Sequence, residues 1–220
     1  IYQDILEREP TGSVALHSLG IIEFQDGNYR KAEKLVKKAI KTAPAVSKYY
    51  ADLGRILRAR AKFQRAIYAF QEAIKIDDRE WEVYLDLSAV FIDVGDYLRA
   101  IESVKTALKL SPKNPYLLLN LGLAQKAQGK TKLAAIYFKV AAMGEPQFAE
   151  AHFQCGQTYH DQNELELAVA AYRKAIELDS VLIEAHCNLG NVLRVLGCFQ
   201  EALDCYKKAL EIDPNKGEVY

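Results

Sequence analysis

Residues 188–214 read NLGNVLRVLGCFQEALDCYKKALEIDP. The stretch opens on Asn188-Leu189-Gly190, turns at Gly197 and stops at Pro214. Ala202, Tyr206 and Ala209 follow the turn at intervals of four and three, the spacing of one apolar helix face. A glycine inside such a pattern costs about 1 kcal/mol against alanine, so it is kept where a neighbouring helix leaves no room for a side chain. Two helices joined by a tight turn are therefore predicted, pressed together at Gly190.

Moving back through the chain in steps of 34 residues returns the same pattern. Small residues stand at Gly20, Gly54, Ser88, Gly122, Gly156 and Gly190. Twelve positions on from each comes Ala32, Ala66, Ala100, Ala134, Ala168 or Ala202. Seven further on comes Ala39, Ala73, Ala107, Ala141, Ala175 or Ala209. Between the alanines recur the larger residues Val36, Phe70, Val104, Phe138, Tyr172 and Tyr206. Leu19, Leu53, Leu87, Leu121 and Leu189 precede the small residue as core positions, with Cys155 in that place in the fifth copy. Gly27, Gly95, Gly129 and Gly197 mark the turn, where Ala61 and Asn163 stand in the other two copies. Pro44, Pro112, Pro146 and Pro214 end the second helix; Asp78 and Ser180 replace proline and equally suit a turn. In the first copy the helices are expected over about 14–26 and about 29–42.

This period and its Gly-Ala-Ala-Pro order resemble the tetratricopeptide repeat (TPR) family, and the resemblance covers the whole chain. It implies an all-α fold, a right-handed superhelical solenoid of helix-turn-helix repeats. The repeats are expected at 13–46, 47–80, 81–114, 115–148, 149–182 and 183–216. Residues 1–12 read as the end of a preceding second helix, with Tyr2 as its knob and Pro10 as its stop. Residues 217–220 read as the start of a further repeat. No polar capping element is visible at either end, so the chain is expected to be a segment of a longer array. Glu23 and Gln125 stand where the family usually packs an aromatic residue or leucine, which implies looser packing there.

Composition narrows the function. Lys plus Arg is 29 and Asp plus Glu is 29, a formal net charge of zero. That balance argues against nucleic acid and membrane surfaces as general partners. No apolar run reaches the roughly 20 residues of a membrane span. The four cysteines, Cys155, Cys187, Cys198 and Cys205, form no CxxC pair or disulfide framework, and are read as reduced thiols in an intracellular, cytoplasmic setting.

No motif for catalysis or cofactor binding is present: GxSxG, HExxH, the P-loop and GxGxxG are all missing. The nearest approach to a metal site is His152, Cys155, His160, His186 and Cys187. The equivalent positions of His152 and His186 elsewhere are Leu16, Tyr50, Tyr84 and Leu118, so packing is the favoured reading and no metal or cofactor is expected. The run RILRARAKFQR, 55–65, holds Arg55, Arg58, Arg60, Lys62 and Arg65. It is a candidate dock for an acidic partner stretch, with a solvated face as the plainer alternative.

The family resemblance also implies which positions of each first helix face a binding groove: the second, fifth, sixth, ninth, twelfth and thirteenth. At the sixth these are Asp52, Asp86, Asn120, Gln154 and Asn188, together with Ser18. An amide there can both donate to and accept from a peptide backbone. At the ninth and twelfth they include Arg55, Arg58, Ile92, Leu123, Lys126, Gln157, Asn191 and Arg194. Leu85, Tyr116 and Phe153, from the fifth, second and fifth positions, are expected to make the middle of the groove apolar, with Ala89 and Leu119. The fifth column, His17, Ala51, Leu85, Leu119, Phe153 and Cys187, has no lysine, so the carboxylate clamp of chaperone-binding TPR domains is not formed here.

The reading is a non-enzymatic scaffold that binds a protein or peptide partner in a concave groove. The sixth repeat, EAHCNLGNVLRVLGCFQEALDCYKKALEIDP, also resembles the repeats of O-linked N-acetylglucosamine transferases. That resemblance implies an alternative, a substrate-recruiting TPR arm of a larger glycosyltransferase with no catalytic residue in this chain. Uncapped ends would also allow self-association.

Overall fold

Among the described residues, 12–214 of this computed structural model, twelve α-helices and no strand are found. The readings placed on Tyr2, Pro10 and 217–220 lie outside those residues. The chain divides between Pro112 and Lys113 into two compact units. The first holds α1 (Ser13–Gln25), α2 (Tyr29–Thr42), α3 (Ser47–Ala59), α4 (Phe63–Ile76), α5 (Trp81–Asp93) and α6 (Tyr97–Leu110). The second holds α7 (Pro115–Ala127), α8 (Thr131–Gly144), α9 (Ala149–Asp161), α10 (Leu165–Leu178), α11 (Ile183–Val195) and α12 (Phe199–Ile212). The first helix starts and ends one residue earlier than the spacing predicts, since its C-cap is Asp26. The fold class is an all-α helical repeat solenoid.

Each odd-numbered helix pairs with the next to form a hairpin. Within each unit the second helix of one hairpin packs on the first helix of the next. First helices also touch, α1 with α3, α3 with α5 and α9 with α11. Each unit therefore has a layer of first helices and a layer of second helices.

The hairpin turns share one geometry. Gly27, Gly95, Gly129 and Gly197 adopt φ of 77–79°, and Ala61 and Asn163 adopt 53° and 59°. The amide after each of them reaches back to a carbonyl in the first helix. Asn28 donates to Glu23 at 2.8 Å, Lys62 to Leu57 at 2.8 Å, and Cys198 to Leu193 at 2.9 Å. These bonds satisfy carbonyls that a helix end would otherwise leave open.

The hairpin core is set by how closely the helices approach. A Cβ built on Gly54 would lie 2.6 Å from the Phe70 ring. Gly122 meets Phe138 at 2.5 Å, Gly156 meets Tyr172 at 2.6 Å, and Gly190 meets Tyr206 at 2.6 Å. Phe70, Phe138 and Tyr172 are wholly buried on these glycines. In the third hairpin Ser88, also wholly buried, takes the glycine position, and its knob is the smaller Val104. All twelve alanines of the two columns are buried.

The positions expected to be loose are buried. Glu23 is ion-paired with Lys31 at 2.5 Å and accepts from the Asn28 amide at 3.0 Å. Gln125 is buried with its Oε1 lacking a hydrogen-bond partner among the described residues, the costlier of the two substitutions.

Gly54→Ala is expected to destabilise the first unit by about 1–3 kcal/mol through overpacking. In urea denaturation the cost should shrink when Phe70→Val is combined with it, a coupling readable from a double-mutant cycle. Ala61→Gly should have the opposite sign. Relief of left-handed strain, about 1–2 kcal/mol, outweighs the roughly 0.4–1 kcal/mol of added unfolded-state entropy. The urea midpoint of the first unit should rise.

Candidate peptide-binding faces

On the first-helix layer of the first unit, the polar column is consumed by ion pairing. His17 Nε2 lies 2.7 Å from Asp52, and its ring stacks on Tyr49 at 4.5 Å. Arg55 donates to Asp52 at 2.7 Å and to Asp86 at 2.6 Å. Arg58 holds Asp93 with two bonds, at 2.6 and 3.2 Å. Burial pushes the Asp52 carboxyl upward, but the His17 bond and the Arg55 charge overcome it and its pKa falls below the usual value. At Asp86 burial wins against Arg55, and the pKa is raised. An open hollow of about 680 Å³ lies beside Phe24 and Phe63, with Arg55, Arg58, Asp86 and Asp93 on its walls.

The basic run 55–65 is therefore no free dock for acid. Besides Arg55 and Arg58, Arg60 and Lys62 both bond Glu33, Lys62 at 3.0 Å. Lys37 bonds the other Glu33 oxygen at 2.7 Å. Burial raises the Glu33 pKa, but these lysines outweigh it and bring the group down to about 2. Arg65 alone of the run has no carboxylate partner among the described residues. The signal was present in the sequence: Arg58 and Asp93 are 35 residues apart, one period plus one.

The first-helix layer of the second unit is built differently. Lys126 donates to Gln157 at 2.7 Å and to Gln154 at 3.4 Å. Gln154 is buried and donates in turn to Glu150 at 2.8 Å. Burial lowers the Lys126 pKa, with the more distant Asp161 and Glu150 opposing. Among the described residues no carboxylate forms an ion pair with Lys126 or with the exposed Arg194. Asn120, Leu123, Asn188 and Asn191 are half-buried, and Asn191 accepts from the Tyr206 hydroxyl at 2.8 Å. The buried Tyr172 hydroxyl makes no hydrogen bond of standard geometry. Asn188 stands close enough to oppose the upward shift that burial gives its pKa.

The apolar residues separate. Tyr116 is 45% exposed and tilts against Phe148 with ring centroids 4.7 Å apart. Leu85, Ala89 and Ile92 are half-buried in the first unit. Phe153 and Leu119 are buried in the core of the second, Phe153 against Tyr172 at 6.0 Å.

His152 and His186, two of the three histidines of the last two repeats, are occupied by backbone. His152 Nε2 lies 3.1 Å from the Pro146 carbonyl and His186 Nε2 lies 3.0 Å from that of Ser180. Cys155 is buried, and its thiol is pushed up to about 11. Among the described residues no three His, Cys, Asp or Glu side chains group to hold a metal ion, and no helix is long and apolar enough to cross a membrane.

Stacked helix hairpins with these turns and columns define a helical-repeat interaction scaffold. Family models described as tetratricopeptide repeat match residues 13–79 and 183–216, and one described as TPR repeat matches 89–129 and 156–197. The chain belongs to the tetratricopeptide repeat family. No curated protein matches it. Among solved structures it is similar to the APC/C hetero-tetramer Cut9–Hcn1, with TM-score 0.86 and 20% identity over 99% of this chain. It spans 43% of that chain. It is also similar to MamA, with TM-score 0.62 and 28% identity, covering 76% of this chain and 97% of that one. YrrB, described as a TPR protein with an unusual peptide-binding site, gives TM-score 0.58 and 23% identity over 81% of this chain and 92% of its own.

Glu33 yields a pH prediction. Its folded pKa, about 2, lies below its ordinary 4.5. The stabilisation is complete above about pH 4.5 and is lost as pH falls towards 2. Glu33→Gln should cost the first unit about 1–3 kcal/mol at neutral pH. Denaturation of the two proteins should converge over that acid window.

Proposed function

We propose that the first-helix layer of the second unit binds an extended, carboxylate-bearing peptide of a partner protein. Lys126 carries the reading. Its ammonium is partly desolvated, and its hydrogen bonds among the described residues go to the neutral amide oxygens of Gln154 and Gln157. With Asp161 and Glu150 acting on it only from beyond ion-pair distance, such a cation is a seat for a carboxylate, because a charge-assisted hydrogen bond there restores what burial removed. Asn120 and Asn188, two repeats apart in the same column with Gln154 between them, carry amides of the kind that can donate to and accept from a peptide backbone. Exposed Tyr116 and Arg194 extend the contact surface, and both types are common anchors at interfaces. In the first unit, Asp52, Arg55, Arg58 and Asp86 are paired with one another or with Asp93 and His17, so the charged positions of that layer are spoken for. The function is binding rather than catalysis, and the same fold carries a peptide-binding site in YrrB. A micromolar complex, about −8 kcal/mol, is the expected strength.

Peptides selected from a displayed random library against the whole chain should carry an acidic residue. Lys126→Met should weaken them by at least about tenfold, the loss of one charge-assisted bond. Asn120→Ala with Asn188→Ala should abolish capture while circular dichroism shows unchanged helicity. Undiminished affinity in both variants would move the site off this face.

A further inference from the structure

The second-helix layer of the first unit holds a feature that this function does not use. A groove runs between α2 and α4 and is floored by α3. It opens into a pocket of about 360 Å³, within the size range of sites that take a bulky side chain or small ligand. Tyr50, Leu53 and Leu57 of α3 line it, at the three- and four-residue spacing of one helix face. Asp52, Arg55 and Arg58 of that helix are engaged in the first-helix layer, so the pocket is separate from the ionic chain. Ile40 and Ala69 add apolar wall from α2 and α4.

Three observations identify an occupant. Tyr68 lines the pocket while 63% exposed, the degree of exposure of a side chain awaiting a contact. Its column elsewhere holds Lys34, Glu102, Ile136, Ala170 and Asp204, so the repeat does not demand an aromatic there. Arg65 and Lys37 stand on the same lining, and Arg65 has no carboxylate partner among the described residues. The helix that contributes Lys37 to the lining is strongly basic along its length: α2 carries Arg30, Lys31, Lys34, Lys37, Lys38 and Lys41 with the single carboxylate Glu33. Lys31 and Lys37 are paired, while Lys34, Lys38 and Lys41 are exposed with no carboxylate partner among the described residues. An apolar pocket beside unpaired cations is complementary to an apolar side chain flanked by acids.

We propose that the α2–α4 groove docks an acidic segment of a partner polypeptide. A phenylalanine or leucine of that segment enters the pocket beside Tyr50, Leu57 and Tyr68. The flanking carboxylates meet Arg65 and the lysines of α2. The apolar lining favours a peptide over nucleic acid, which would need a row of stacking faces along the charges.

The test is fluorescence anisotropy on the whole chain. The probes are labelled acidic peptides of Asp and Glu around one central Phe, the same with central Ser, a basic peptide around Phe, and a single-stranded RNA. The acidic Phe probe should bind, more weakly as salt rises, and the Ser probe should bind at least about tenfold less tightly. Arg65→Glu and Tyr68→Ser, both at exposed positions, should each weaken the Phe probe by about tenfold or more with helicity unchanged. All the proteins compared carry Lys126→Met as well, which removes the seat proposed above and leaves this groove to the acidic probes. The proposal fails if the Phe probe does not bind below about 1 mM. It fails if Phe and Ser probes bind alike, which would mean diffuse charge attraction. It fails also if neither variant matters, or if RNA binds with the dependence on Arg65 and Tyr68 expected of the peptide.

Discussion

An aromatic ring laid against a bare glycine backbone is the contact on which four of the six hairpins depend. At Gly54, Gly122, Gly156 and Gly190 the partner ring lies where a Cβ would have to be. The glycine costs about 1 kcal/mol of helix propensity. The buried ring returns more than that, about 1.5–3 kcal/mol for a large side chain taken from water. The exchange is local, because the two residues are 16 apart within one hairpin. Where the knob shrinks to Val104, serine is tolerated opposite it. Close approach brings the helices together, and the alanine columns keep that spacing along their length.

Given such a frame, the two units use their first-helix layers in opposite ways. In the first, buried and half-buried acids and bases alternate from His17 to Asp86. Removing one partner would strand a charge, so the chain specifies register more than it adds stability. In the second, amides occupy the equivalent places, and Lys126 is left with neutral partners. Neutralised charge makes an inert wall, whereas an unneutralised cation among amides makes a receptive one. The same contrast recurs on the other layer of the first unit, where α2 concentrates lysine beside an apolar pocket. A chain of zero net charge thus carries local surfaces that are far from neutral.

The period, the helix pairs, the turns and the buried alanines were all legible in the sequence. They are constraints on one residue at a time, repeated at one interval: a left-handed φ asks for glycine, and a close approach asks for a small side chain. Even Ala61 and Asn163, which break the glycine rule, could be placed because the interval is unbroken around them. The candidate site was legible only as a set of columns. Asp52, Gln154 and Phe153 belong to columns that the family turns towards a groove, yet all are buried here. A position relative to the helix axis does not state what the neighbouring helix contributes.

What the sequence by itself determined is the scaffold, because backbone geometry and side-chain volume act within a hairpin and recur with it. What only the tertiary structure decided is which charges remain available. Arg55, Arg58 and Arg60 look alike in sequence to Arg65, but carboxylates from other helices reach the first three and none among the described residues reaches the fourth. Ion pairing depends on a few ångströms of reach between helices, and that distance is set by packing across repeats rather than by spacing along the chain.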